Sequence, residues 1–172
     1  MAPNIGIKCK NTPALFAPIN AIPFLEGSLE YIEKDHNLEM DEDGWIRLGC
    51  YWALSNAYSL IGDWKLYQEY IEQAFNFVNT NNINTPLANH FRGSAYEMRE
   101  DYQSEIKYYK KVIKGSFKNY DSWYWLVPYA LNRISLIHMM KKNYSDAYDS
   151  AMEAFTLSEK MNEHSALLLS LT

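Results

Sequence analysis

One stretch of this sequence combines a helical pattern, a polar turn and a second helical pattern: Leu54-Ser-Asn-Ala-Tyr58-Ser-Leu-Ile-Gly62-Asp63-Trp64-Lys-Leu-Tyr67-Gln-Glu-Tyr-Ile71-Glu-Gln-Ala74-Phe75. Apolar and small residues recur at helical spacing on both sides of the turn, as in two amphipathic helices. Two helices of this size cannot bury their apolar faces by themselves. The stretch therefore predicts a helix–turn–helix unit that packs against further units of the same kind.

The same pattern returns twice in register. The second segment is Arg92-Gly93-Ser-Ala-Tyr96-Glu-Met-Arg-Glu100-Asp101-Tyr102-Gln-Ser-Glu105-Ile106-Lys-Tyr-Tyr109-Lys-Lys-Val112-Ile113, and the third is Ile134-Ser135-Leu-Ile-His138-Met-Met-Lys-Lys142-Asn143-Tyr144-Ser-Asp-Ala147-Tyr-Asp-Ser-Ala151-Met-Glu-Ala154-Phe155. The aligned positions Tyr58, Tyr96 and His138 lie 38 and 42 residues apart. A repeat at such a period predicts stacked helical units. We predict an all-α fold, an α/α superhelical solenoid of about three repeats over about residues 45–80, 84–115 and 122–161, with flanking helices.

The segments outside the repeats differ in character. Residues 1–20 contain Pro3, Pro13 and Pro18 and show no periodicity, so we predict an extended N-terminal arm. A single helical-repeat domain should occupy residues 21–172, beginning with a helix from about Ala21 to His36. The tail after Ala154 predicts the end of one helix and the start of another.

The three segments resemble the tetratricopeptide repeat of the long-repeat type. The resemblance rests on bulky, small and turn residues at matching positions: Leu54, Ser55, Tyr58, Gly62, Asp63, Trp64 and Ala74; then Gly93, Tyr96, Asp101, Tyr102 and Tyr109; then Tyr144, Ala147 and Ala154. Departures from the pattern occur at Tyr67, Glu105 and His138. Phe91 to Ile113 and Asp121 to Leu131 are also similar, more weakly, to the C-terminal part of the tetratricopeptide repeat protein 39 family. The basic segment that this family has after its last helix is missing here.

Composition excludes several classes of protein. The 172 residues include 16 Lys and Arg against 21 Asp and Glu, a net charge of −5, which argues against a nucleic-acid partner. Two cysteines, Cys9 and Cys50, are too few for a disulfide-rich secreted module. Neither a membrane span nor a signal peptide is apparent, so we expect a cytoplasmic protein.

The sequence contains no recognisable catalytic or metal-binding motif. His-Glu-x-x-His, the phosphate-binding glycine motifs and Gly-x-Ser-x-Gly are all missing. The four histidines, at positions 36, 90, 138 and 164, do not share a helical face, and no base is paired with Cys50. We therefore expect a protein that is not an enzyme and that needs no metal or cofactor.

The resemblance implies a binding surface on the concave side of the first helix in each repeat. The implied partner-binding residues are Trp52, Asn56, His90, Phe91, Met98, Tyr129, Asn132, Arg133 and Met140. The tetratricopeptide domains that clamp a C-terminal carboxylate use five polar residues, of which only Asn56 and Arg133 are matched here. The expected partner is therefore an apolar or amphipathic peptide or protein segment. The other interpretation of each residue is packing between helices or against the N-terminal arm.

A second interpretation makes the chain a structural subunit of a larger assembly. The tail Ser165-Ala-Leu-Leu-Leu-Ser-Leu-Thr172 is apolar and lacks a polar capping helix, which predicts an exposed seam. The subunit would assemble through this uncapped apolar end or through the N-terminal arm. A protein partner, a second copy or the arm should then cover the C-terminal end, unless the chain is a fragment of a longer repeat array. A homo-oligomer through the C-terminal end is the corresponding expectation.

Overall fold

The computed structural model describes residues 17–34, 44–118 and 124–170. All regular structure in these residues is helical and none of them forms a strand, which confirms the predicted all-α class. The seven helices are α1 (Ala17–Lys34), α2 (Trp45–Ile61), α3 (Trp64–Thr80), α4 (Pro86–Met98), α5 (Tyr102–Lys118), α6 (Leu126–Met140) and α7 (Tyr144–Ser170). None of the helices in these ranges is both long and apolar enough to cross a bilayer.

Helices α2 to α7 form three successive helix–turn–helix pairs that coincide with the predicted repeats. The last pair differs from the prediction, because α7 continues to Ser170 without the expected break. The sequence contains no Gly or Pro between Ala154 and Ser170, so it offers no strong stop signal. At the other end, α1 begins at Ala17, inside the segment predicted to be an extended arm. Pro18 is compatible with this start because it lies in the first turn, where its missing N–H would be unpaired in any case. Residues 1–16 of the predicted arm lie outside the described ranges.

The three turns within the pairs share one backbone geometry. Gly62, Glu100 and Lys142 all adopt the left-handed conformation, with φ of 79°, 56° and 61°. The amide of the following residue donates to the carbonyl of the aligned position, from Asp63 to Tyr58 at 3.0 Å, and the other two turns form the same bond at 3.0 and 2.8 Å. These bonds satisfy carbonyls that the helix end leaves unpaired. The repeat register read from the sequence is thus reproduced in the backbone hydrogen bonds.

The chain divides into two compact units, Met1–Tyr70 and Ile71–Thr172. In the first unit, α1 packs along α2, and Glu26 accepts hydrogen bonds from the hydroxyls of Tyr58 (2.7 Å) and Tyr70 (3.2 Å). The rings of these two tyrosines stack with their centroids 5.5 Å apart. A carboxylate of α1 therefore fixes the start of α3 to the end of α2 within this unit.

In the second unit α4 packs on α5, α5 on α6 and α6 on α7, and α4 also touches α6. Gly93 lets α4 approach α5 closely, because the ring of Tyr109 lies where a side chain at this position would begin. Arg92 joins α4 to the end of α3: its Nε donates to Asn79 at 2.8 Å and its Nη2 to the carbonyl of Val78 at 3.0 Å. A cation is favourable there because the helix dipole is negative at its C-terminal end. The predictions of one domain over residues 21–172 and of a superhelical arrangement stay predictions.

Candidate functional site

The exposed face of α6 contains three of the nine residues implied as binding residues. Tyr129, Asn132 and Met140 are exposed, and Leu136 and Met139 lie on the same side of the helix. Tyr129, Asn132, Leu136 and Met139 follow one another at three or four residues, and Met140 lies four residues after Leu136. All five therefore share one side of the helix. The opposite side of α6 is buried through Val127, Ala130, Leu131, Ile134 and Ile137. We call the row Tyr129, Asn132, Leu136, Met139 and Met140 the α6 face.

The implied residues on α4 lie mostly inside the second unit. Phe91 is 0% exposed and His90 is buried, whereas Met98 is half-buried. These positions are covered because α4 contacts residues 71–80 of α3 on one side and α5 and α6 on the others. Phe91 is therefore a core side chain and presents no surface to a partner.

The two remaining implied residues belong to the first unit. Trp52 is half-buried in α2. Asn56 is exposed, and its side-chain amide donates to the carbonyl of Trp52 at 2.7 Å. The nine residues are thus distributed over both units, with two on α2 in the first unit and seven on α4 and α6 in the second.

Arg133, also implied as a binding residue, is occupied by two carboxylates of its own chain. Its Nε and Nη2 donate to Glu105 Oε1 at 3.2 and 3.0 Å, and Nη2 lies 2.8 Å from Glu97 Oε1. The three side chains come from α4, α5 and α6, so this triad holds three helices together. Glu105 is 0% exposed, and the other two side chains are about a quarter exposed.

The triad has one more negative charge than positive charge when both carboxyls are ionised. Burial raises the pKa of Glu97 and of Glu105, and Arg133 offsets only part of this effect. For Arg133, burial alone would lower the pKa, but the two carboxylates raise it. The Oε2 atoms of Glu97 and Glu105 are buried without a hydrogen-bond partner among the described residues. Protonation of one carboxyl would therefore relieve the excess charge.

Aromatic rings surround the buried histidine next to this triad. The His90 ring is 5.0 Å from that of Tyr129 and 6.2 Å from that of Tyr109, measured between centroids. The Tyr109 hydroxyl lies 3.3 Å from that of Ser94. Burial raises the pKa of Tyr109 well above its usual value and lowers the pKa of His90 to about 4. His90 is therefore neutral at pH 7, and its role here is packing.

We expect His90→Leu to reduce the loss of stability on acidification. The unfolded chain takes up a proton near pH 6.5, whereas folded His90 does not until about pH 4. Stability from this group is therefore complete above pH 6.5 and falls as the pH decreases towards 4. Between about pH 7.5 and 5, His90 should lower the free energy of unfolding of the wild type by about 2 kcal/mol. This contribution should be missing in His90→Leu. Urea unfolding at both pH values measures it.

His138→Gln is the matched control, because it removes a histidine but keeps His90. Unfolding of this variant should still show the contribution of His90 to the pH dependence. Glu97 and Glu105 act in the opposite direction, since a raised carboxyl pKa adds stability on acidification, but they are common to all three proteins. Equal pH dependence in wild type and His90→Leu would contradict the assignment.

Sequence reasoning missed the triad, although one signal pointed to it. Glu105 stands where the repeat pattern has a small residue, so the sequence places an acidic side chain at a position that the repeat packs between helices. A buried carboxylate needs a charged or hydrogen-bonding partner. Its partner Arg133 is 28 residues away in the chain, and only the packing of α5 on α6 identifies it.

The described residues contain no group of three or more His, Cys, Asp and Glu side chains that could hold a metal ion. Cys50 is buried, and burial raises the pKa of its thiol, which makes a packing role more favourable than a nucleophilic one. No family model, no curated protein and no solved structure matches this chain. The resemblance to the tetratricopeptide repeat thus rests on the repeat register of this sequence and stays a prediction.

Proposed function

We propose that α4 to α7 form a tetratricopeptide-like stack that binds a peptide or protein segment on the α6 face, without catalysis. The observation that carries this proposal is the row of large apolar side chains on a helix whose opposite side is fully packed. Tyr129, Leu136, Met139 and Met140 are each at least 40% exposed. Side chains of this kind form the centre of protein interfaces, where aromatic residues and Met are enriched.

The chemistry of the α6 face defines the segment that it fits. The methionines are flexible and polarisable, so they adapt to apolar side chains of different shape. The amide of Asn132, which lies between Tyr129 and Leu136 in the row, can donate and accept hydrogen bonds. Arg133 is already paired with Glu97 and Glu105, so it orders the surface rather than capturing a free carboxylate. The proposed partner is an apolar or amphipathic segment, and the proposed setting is the cytoplasm.

A binding selection tests the proposal. Peptides selected from a random library on the wild-type protein should bind Leu136→Glu/Met140→Glu about tenfold more weakly or worse, because two charges would be buried in the contact. Fluorescence anisotropy of the labelled peptides measures the affinities. Circular dichroism should show unchanged helicity, since both residues are exposed.

The matched control is Phe24→Glu, which places a charge at an exposed aromatic residue on α1, outside the α6 face. It should leave peptide binding unchanged. If the selected peptides bind Leu136→Glu/Met140→Glu with the same affinity as the wild type, the α6 face is not the binding site.

The alternative function, a structural subunit of a larger assembly, was predicted from the C-terminal tail and the N-terminal arm. The side chains of residues 162–170, residues 171–172 and residues 1–16 lie outside the described part of the chain. This alternative, including a homo-oligomer through that end, remains a prediction from the sequence.

A further inference from the structure

The carboxylate of Glu97 lies at the border of the α6 face. Its partner Arg133 follows Tyr129 by four residues, so the two share one side of α6. The exposed ring of Tyr129 lies 5.0 Å from that of His90 on α4, and Glu97 follows His90 by seven residues, about two helical turns. Helices α4 and α6 also touch directly. A segment bound on the α6 face would therefore lie beside Glu97.

Glu97 is the carboxylate of the triad that a partner can reach. Its side chain is 28% exposed and that of Arg133 is 22% exposed, whereas Glu105 is 0% exposed. Oε1 of Glu97 has a second lone pair besides the one that faces Arg133 Nη2, which is 2.8 Å away. Oε2 of Glu97 is buried and has no hydrogen-bond partner among the described residues. Glu97 therefore keeps acceptor capacity for a donor that arrives at the α6 face.

The charges around Glu97 favour a positively charged donor over a neutral one. Glu97 and Glu105 share the one guanidinium of Arg133, which leaves one negative charge in excess when both carboxyls are ionised. Glu100 is exposed and adds another negative charge three residues after Glu97. Burial raises the pKa of Glu97, Arg133 lowers it, and Glu105 raises it again. A second cation would therefore stabilise the ionised carboxyl of Glu97.

Three further cations near the C-terminal ends of α4 and α6 do not compensate this excess. Arg99 is already paired, because its Nη2 donates to Glu72 at 2.8 Å. Lys141 and Lys142 follow Arg133 by eight and nine residues, about 12 Å along the helix axis. No ion pair among the described residues joins either lysine to the triad. The excess charge is therefore left for a cation from outside these helices.

We propose that the segment bound on the α6 face carries a Lys or Arg side chain whose cation pairs with Glu97, which makes Glu97 a specificity-determining residue. This role of Glu97 rests on the proposed function, because it concerns the same bound segment. The ion pair neutralises the excess charge of the triad, and the neighbouring ring of Tyr129 adds a favourable contact for the same cation. Apolar side chains of the segment contact Leu136 and Met140 at the same time.

The probes are peptides selected from a random library on the wild-type protein. When they are aligned by their apolar residues, they should share a Lys or Arg at one position. In the peptide that binds most tightly, replacement of this residue by Gln should raise the Kd for the wild-type protein about fivefold or more, because an ion pair partly shielded from water is lost. Fluorescence anisotropy of the two labelled peptides, basic and neutral, measures the difference.

The variant Glu97→Gln tests the residue itself. It should bind the basic peptide about fivefold more weakly than the wild type does, and it should bind the basic and neutral peptides with equal affinity. Arg133 keeps Glu105 as its partner, so circular dichroism should show unchanged helicity. Glu153→Gln is the matched control, because it makes the same change at an exposed position of α7. This control should distinguish the two peptides as the wild type does.

Leu136→Ala/Met140→Ala separates this role of Glu97 from the proposed function, because it shortens apolar side chains without a change of charge. It should weaken the binding of both peptides about tenfold. If it does so while Glu97→Gln still distinguishes the two peptides as the wild type does, the role of Glu97 is overturned and the α6 face stays the site. Selected peptides with no shared basic residue would overturn this role as well. Wild-type affinity of both peptides for Leu136→Ala/Met140→Ala would reject the α6 face and, with it, the pairing with Glu97.

Discussion

Arg133→Ala should lower the free energy of unfolding by about 3 kcal/mol at neutral pH. The substitution removes the one guanidinium shared by Glu97 and Glu105, and it leaves an ionised carboxylate at a position that is 0% exposed. Removing one member of a buried ion pair is costly because the remaining charge stays desolvated. The partial exposure of Arg133 and Glu97 lets water reach part of the triad, so the lower end of the usual range applies. Urea unfolding followed by circular dichroism measures the change.

The second carboxylate supplies the matched variant. Arg133→Ala/Glu105→Gln replaces the buried charge by a neutral amide of the same shape, so it should recover much of the lost stability. The double variant should therefore be more stable than Arg133→Ala alone, with a coupling energy of about 2 kcal/mol. Additive effects of the two substitutions would show that Arg133 and Glu105 do not interact in solution.

The stability that Arg133→Ala loses relative to the wild type should become smaller as the pH falls. Burial already raises the pKa of Glu105 in the wild type, and loss of the guanidinium removes the effect that opposes it. The folded variant then binds a proton more tightly than its unfolded chain, so its stability rises as the pH falls towards about 5. The difference from the wild type should shrink between about pH 7.5 and 5. A constant difference would contradict a buried, ionised carboxylate as its cause.

Gly93→Ala should destabilise the second unit by about 3 kcal/mol. A Cβ at this position would lie 2.8 Å from both Cε1 and Cζ of Tyr109. The Tyr109 ring cannot move aside easily, because it is 0% exposed and its hydroxyl lies 3.3 Å from that of Ser94. Overpacking of this kind forces shifts of side chains and backbone in a dense core. Thermal and urea unfolding measure the loss.

Gly49→Ala is the control for the helix propensity that every Gly to Ala change adds. Gly49 is also in a helix interior, but nothing lies within 4 Å of a Cβ built there. Gly49→Ala should raise the free energy of unfolding by about 0.5–1 kcal/mol. Tyr109→Leu in the Gly93→Ala background should recover part of the loss, since a shorter side chain frees the space. A stabilising Gly93→Ala would contradict the close approach of α4 and α5.

The exposed residues of the candidate site were more predictable on α6 than on α4. Tyr129, Asn132 and Met140 are exposed on α6, so they are available to a partner, although their place on a concave surface stays a prediction. The same register implied Phe91 and His90, which are buried because α4 lies among residues 71–80 of α3, α5 and α6. Helical spacing tells which residues share a face, but it does not tell whether another helix covers that face.

The ends of the helices were likewise predictable where they depend on nearby residues and not where they depend on packing. Local signals located the turns at Gly62, Glu100 and Lys142, because helix ends depend on residues a few positions away. Local signals did not predict that α7 continues to Ser170. Where no Gly or Pro ends a helix, its length depends on what the helix packs against.

By itself, the sequence determined the all-α class, the three helix–turn–helix pairs and their register, because these depend on periodicity and turn chemistry within each repeat. The tertiary structure decided the rest. It joined Arg133 to Glu105 across 28 residues, buried Phe91 and left Tyr148 and Phe155 of α7 exposed. Each of these outcomes depends on which helix lies beside which, and desolvation acts on that arrangement rather than on the order of residues along the chain.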